Sequence, residues 1–102
     1  MTIVGLGITP VSEAGLYGTV ASAAALTLPS GATVVQVTGT TSITSITAQT
    51  AGRRVTLIFT GILTVTDGSN LKLATNFVTT ADDTITLVSD GTNWYEEARS
   101  VN

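Results

Sequence analysis

The chain has 102 residues and a formal net charge of −3, with four cations against seven carboxylates. This length supports one domain with a single hydrophobic core. Because the chain contains neither cysteine nor histidine, disulfides, thiolate metal sites, thiol nucleophiles and the usual general base near neutral pH are all excluded.

Charged residues make up only 11% of the chain, whereas hydrophobic residues make up 43%. Soluble proteins carry about 25% charged residues, so threonine and serine have to supply the polar surface here. Only two of the cations, Arg53 and Arg54, are adjacent, and we therefore expect no nucleic-acid partner. No stretch approaches the roughly 18 uninterrupted apolar residues of a spanning helix, so membrane insertion is not expected.

The first thirty residues are rich in alanine and glycine and differ in composition from the remainder. We interpret residues 1–18 as a connecting arm and residues 19–102 as a β domain. This division leaves the whole of the β-branched part of the chain in one unit.

Further along, short runs of alternating apolar and polar residues follow one another. The runs "ATVVQVTG", "SITSITA", "RRVTLIFTG" and "DTITLVSDG" are rich in valine, isoleucine and threonine, which is typical of strands. Two shorter runs of the same kind are "ILTVTDG" and "NLKLA". Glycine, aspartate and asparagine interrupt the chain roughly every 8 to 12 residues, as in sandwiches and barrels. We predict an all-β fold, either a small sandwich or a β-solenoid-like domain, because periodicity alone does not separate the two.

The alternation also predicts which side chains are hidden from water. Seven apolar residues occupy one face of the predicted strands and are expected in the core or at an interface between subunits: Val55, Leu57, Phe59, Leu63, Val65, Ile85 and Leu87.

The only tryptophan of the chain stands beside a tyrosine in "SDGTNWYEEARS", directly after an Asp-Gly turn. We predict a hairpin with its tip at residues 90–93 and Trp94 and Tyr95 in the second arm. One interpretation is that a large ring fills the end of a thin core. The alternative is a glycan contact, in which Trp94 or Tyr95 stacks on a sugar and Asp90, Asn93 or Glu96 supplies polar contacts.

Other candidate chemistry is weaker. Asp82 and Asp83 are adjacent, and neighbours in a strand point to opposite faces, so they are better explained as turn acids than as a catalytic pair. The clusters "DGSN" and "DGTN" have the signature of tight turns and do not match a full calcium loop. We therefore assign no catalytic residue, no metal ligand and no cofactor.

About three quarters of the chain, residues 23–100, resembles the small C-terminal domains of bacteriophage tail-fibre and tailspike proteins. The pieces that carry the resemblance are "ALTLPSG", "VTGTTSITSITA", "AGRRVTLIFTGILTVTDGSNLKL" and "SDGTNWYEEARS". In such fibres a domain of this kind follows a pectate-lyase-like β-helix, and the proteins assemble as parallel homotrimers.

The resemblance implies a non-enzymatic structural domain that trimerises and closes the fibre, in a virion assembled in the cytoplasm of a bacterial host. Any depolymerase activity would belong to an upstream region. Within the trimer, an ion pair between chains from Arg99 to Glu96 or Glu97 is conceivable. Two other functions remain open: a tip that binds a host surface glycan, and a part of a polysaccharide depolymerase that uses Asp82, Asp83 or Asp90.

Overall fold

A computed structural model describes residues 16–102, and this part of the chain is all-β with a β-solenoid-like arrangement. The strands are β1 (Tyr17–Ala21), β2 (Ala25–Leu26), β3 (Val34–Thr38), β4 (Ser45–Ile46), β5 (Arg54–Phe59), β6 (Thr64–Val65), β7 (Leu71–Lys72), β8 (Phe77–Val78), β9 (Thr84–Ser89) and β10 (Trp94–Ser100). Within the described residues, no helix has the length and hydrophobicity that crossing a membrane requires.

The first half of the described chain winds in stacked coils of about 20 residues, and each long strand lies parallel to the one before. Tyr17 pairs with Val34, and Val34 pairs in turn with Thr56, so β1, β3 and β5 are neighbours. The short strands stack in the same way, with β2 parallel to β4 and a parallel bridge from Ile43 to Val65. Parallel strands need long connections, which the short strands and loops of each coil provide.

The second half changes to antiparallel pairing and closes the stack. β9 lies antiparallel to β5, and β10 lies antiparallel to β9. β7 then pairs with β10 in parallel at the edge, which gives the main sheet the order β1-β3-β5-β9-β10-β7. A small antiparallel pair of β6 and β8 stands beside it. The end of a solenoid exposes unpaired backbone and apolar side chains, so this change of direction serves as a cap.

One hydrophobic cluster fills the interior of the described part of the chain. Alternate residues of β3, β5 and β9 are buried, because successive side chains of a strand point to opposite faces. Leucine and isoleucine side chains from the short strands and loops meet them, and the rings of Phe59 and Phe77 pack edge to face with centroids 6.0 Å apart. The opposite face of the main sheet, here called the outer face, is turned away from this core.

The all-β prediction is confirmed, and the arrangement is the solenoid-like one of the two that the pattern allowed. β1 begins at Tyr17, within the last two residues of the expected connecting arm, and the rest of that arm up to residue 15 lies outside the described residues. Strands β1, β2 and β8 were not among the predicted runs. β1 contains two small residues, and β2 and β8 are only two residues long, so none of the three carries a clear alternation.

Candidate functional site

The hairpin tip between β9 and β10 is held by one carboxylate. Asp90 accepts hydrogen bonds from the backbone N–H groups of Thr92 and Asn93, at 2.9 and 2.7 Å, and from the hydroxyl of Tyr95 at 3.1 Å. The Asn93 and Thr92 N–H groups, followed by the Tyr95 hydroxyl, hold the pKa of Asp90 below its usual value. The main role of Asp90 is therefore to stabilise the turn, and both of its carboxylate oxygens already accept hydrogen bonds.

Trp94 is fully buried, and its indole Nε1 donates to the carbonyl of Thr47 at 3.2 Å. Its backbone N–H donates to the carbonyl of Asn70 at 2.8 Å. The ring thus closes the core where β10 passes the loop after β4, and no face of it is open to a sugar. The interpretation of Trp94 as a glycan contact is not compatible with this burial, because stacking requires an accessible ring face.

Tyr95 points the other way and is 43% exposed on the outer face. It lies between Val88 of β9 and Lys72 of β7, and Val88 is in turn opposite Arg54 of β5. These four side chains form one line across four strands, here called the basic row: Arg54, Val88, Tyr95 and Lys72. The row brings together an aromatic ring and two cations from distant parts of the sequence.

The basic row ends at an open cleft of about 440 Å³. Its lining combines hydroxyl groups with the two adjacent arginines, and consists of Ser30, Gly31, Ala32, Thr33, Gln49, Thr50, Arg53 and Arg54. The turns that begin β3 and β5 meet here, since parallel neighbours start at the same end of the sheet.

Arg53 organises the floor of this cleft. Its guanidinium donates to the carbonyls of Pro29 and Ala32, at 2.9 and 2.5 Å, and to the side-chain oxygen of Gln49. Burial lowers its pKa. Within the part of the chain that the structure describes, no carboxylate lies at ion-pair distance from Arg53. Neutral oxygens satisfy several of its donors, yet its charge has no carboxylate partner there.

The two ion pairs of the described residues differ in burial. Arg54 pairs with Glu97 on the outer face, where the side chains are 59% and 46% exposed. Arg99 pairs with Glu96 near the core, where they are 22% and 9% exposed. A register shift in β10 between Glu96 and Ala98 turns Glu96 and Arg99 toward the same side of the sheet.

Arg99 is therefore engaged within its own chain, and the ion pair between chains stays a prediction. It also donates to the carbonyls of Thr75 and Asn76, and its guanidinium lies 4.6 Å from the centre of the Phe77 ring. These contacts hold the Arg99 guanidinium against the loop after β7 within the same chain.

Asp82 and Asp83 are neighbours in sequence but have different surroundings. Asp82 is exposed and occupies the left-handed backbone region, with φ of 75°. Asp83 is buried and accepts from the N–H groups of Asn102 and Thr80 and from the Thr80 hydroxyl, which lowers its pKa. Among the described residues, no group of three or more acidic side chains could hold a metal ion.

The seven residues predicted for the core or an interface all lie inside one subunit, and none is more than 3% exposed. They are therefore not available for contacts with another chain. The outer face offers a set without a charge: Val34, Gln36, Thr38, Thr56, Ile58, Thr84 and Thr86, all half-buried in the single subunit.

The sequence interpretation did not identify the cleft or the basic row. Asn93 and Asp90 were expected near a glycan, but Arg53, Arg54 and Lys72 were not. The adjacency of Arg53 and Arg54 was a visible signal. The place of Lys72 beside Tyr95 depends on the parallel pairing of β7 with β10, which no local pattern indicates.

Comparison of the sequence with protein-family models finds no match, and comparison with the curated proteins finds none either. The resemblance to phage fibre domains therefore remains a prediction.

Proposed function

We propose that this protein is a structural, non-enzymatic domain that associates with copies of itself and closes a phage tail fibre or tailspike. The number of copies, three in parallel, and the place in a virion follow from the sequence resemblance. The structure contributes a surface suited to self-association, namely the outer face.

The middle of the outer face is unusual in lacking charge. Solvated faces of antiparallel sheets carry polar and charged side chains, and the centres of protein interfaces are depleted in charge. Here the middle of the face, on β3, β5 and β9, consists of valine, isoleucine, threonine and glutamine, while the charged residues gather in the basic row at one margin. This distribution is the observation that carries the proposal.

The test is the mass of the chain in solution together with a matched pair of variants. Light scattering should give three times the chain mass of 10.4 kDa at micromolar concentration. Ile58→Lys should give a folded monomer, since Ile58 lies in the middle of the outer face. Ile62→Lys, at an isoleucine that is 63% exposed and outside the main sheet, should remain a trimer.

A monomeric wild-type protein would contradict self-association. Phe59→Asp is not a suitable variant, because Phe59 lies in the core and a buried unpaired charge would unfold the subunit itself. Circular dichroism of each lysine variant separates loss of assembly from loss of fold.

A second candidate function is a tip that binds a host surface glycan, now through Tyr95 rather than Trp94. The observation in its favour is that the Tyr95 ring is exposed on the outer face, where its hydroxyl donates a hydrogen bond to Asp90. A depolymerase is the third candidate. It draws least support from the site, because the oxygens of Asp83 and Asp90 already accept hydrogen bonds from backbone N–H groups.

A further inference from the structure

We propose that the basic row and the Arg53 cleft together bind an acidic polysaccharide, one that carries carboxylates on some of its sugar units. This inference rests on the glycan-binding candidate and names its ligand class. It does not depend on self-association.

The first step of the argument is continuity. Arg54 belongs to the basic row and also lines the cleft, so the two features form one surface at one end of the main sheet. The row spans three strand spacings of about 4.8 Å each. An extended chain laid along it would pass Lys72 and Tyr95 before it entered the cleft.

The second step is charge. Three of the four cations of the chain, Arg53, Arg54 and Lys72, lie on this surface although the protein as a whole is acidic. Two carboxylates touch it: Glu97 pairs with Arg54, and Asp90 accepts from Tyr95. Three cations against two carboxylates give a sparse positive surface, which suits a polymer with widely spaced acidic groups.

The third step is the uncharged chemistry between the cations. Sugars offer hydroxyl groups and one apolar ring face, and aromatic side chains such as Tyr95 pack against such faces. Ser30, Thr33 and Thr50 supply hydroxyl groups in the cleft. Nucleic acids carry a phosphate at every nucleotide, and so dense a charge would meet Asp90 and Glu97 at close range.

Affinity electrophoresis through polygalacturonate, alginate and hyaluronate, followed by calorimetry with the best ligand, tests the proposal. We expect binding that weakens as salt rises. The methyl-esterified form of polygalacturonate, which keeps the sugar chain and loses the charge, should bind much more weakly. Absence of binding to all three acidic polymers, or equal binding of the esterified form, would overturn the proposal.

Variants locate the site. Arg53→Gln should weaken binding about tenfold, since hydrogen bonds to charged groups are the strong ones. Arg53 also donates to the Pro29 and Ala32 carbonyls, so Arg53→Gln could unfold the protein. The double variant Arg54→Gln/Lys72→Gln changes only exposed side chains and tests the site in that case. We expect it to lower the affinity for the polysaccharide at least threefold. Tyr95→Ala should lose binding and Tyr95→Phe should keep it.

Unchanged affinity in the double variant and in Tyr95→Ala would place binding elsewhere and contradict the proposal. Single-stranded DNA of matched charge is the control for general polyanion binding, and equal affinity for it would also contradict the proposal. Light scattering of the double variant separates the two functions, because the expected result is lost binding at an unchanged molecular mass.

Discussion

At the scale of single residues, the same side-chain types perform different tasks according to their burial. Arg54 and Arg99 each pair with a glutamate, but only Arg99 also contacts an aromatic ring and two backbone carbonyls. Glu96 in turn accepts from the N–H of Ala74, and the Arg99 guanidinium is the main reason that its pKa lies below the usual value. Together Arg99 and Glu96 fasten the loop after β7 to β10.

Arg99→Gln should therefore lower the free energy of unfolding by about 2 kcal/mol, since it leaves the partly buried Glu96 without its counter-charge. Arg54→Gln is the matched control and should change it by less than about 0.5 kcal/mol, because exposed pairs contribute little. Urea unfolding followed by the fluorescence of Trp94, the single tryptophan, measures both. Equal losses in the two variants would show that the Arg99 contacts have no special role.

At the scale of elements, close packing between successive coils limits the side chains that each coil can carry. Gly18 of β1 faces the loop before β3, and a Cβ atom there would lie 2.8 Å from Cγ of Pro29 and 3.2 Å from Cβ of Ala32. Asn70 fulfils a related role at β4, since its side-chain amide accepts from the N–H of Ile46 and donates to the Ile46 carbonyl. The Asn70 side chain thereby pairs with the backbone of Ile46 on the edge of β4 opposite β2.

Gly18→Ala should destabilise the fold by about 1–2 kcal/mol, because the added methyl group has no room without a shift of the Pro29 loop. Gly61→Ala is the control: its Cβ would meet its nearest atoms at 3.5 and 3.6 Å, an ordinary contact. We expect Gly61→Ala to be neutral within about 0.5 kcal/mol. Thermal unfolding of the two variants measures the difference, and a neutral Gly18→Ala would show that the first coil is loosely packed.

At the scale of the whole molecule, three carboxylates make stability depend on pH. The fold lowers the pKa values of Asp83, Asp90 and Glu96, chiefly through backbone N–H groups at the two aspartates and through Arg99 at the glutamate. A lowered pKa means that the ionised form favours the native state. This contribution is complete above the unfolded-state pKa values of about 4 and is lost as the pH falls through the lower folded values.

Urea midpoints should thus be constant from about pH 7 to about pH 5 and fall below about pH 4. Asp83→Asn, which removes one of the three groups, should flatten the acid decline, and Asp82→Asn serves as the exposed control. A midpoint that rose on acidification, or an Asp83→Asn decline as steep as that of the wild type, would contradict this account.

The amino-acid sequence by itself determined the all-β class, most strand positions from β3 onward, and the seven buried residues of the alternating runs. It could do so because the period of two in a strand is local and each of those strands has one buried face. The turn at Asp90 was equally local, since an aspartate and a glycine next to each other form tight turns wherever they occur.

Only the tertiary structure decided how these strands are ordered and what their surfaces carry. Trp94 and Tyr95 are neighbours in sequence, and it was the pairing of β10 with β9 and β7 that sent one ring to the core and the other to the outer face. The cleft and the basic row join residues from the loops before β3 and β5 and from four strands, through parallel and antiparallel pairing. Such contacts depend on strand order, which is set by packing over the whole domain. The local alternation of apolar and polar residues does not indicate it.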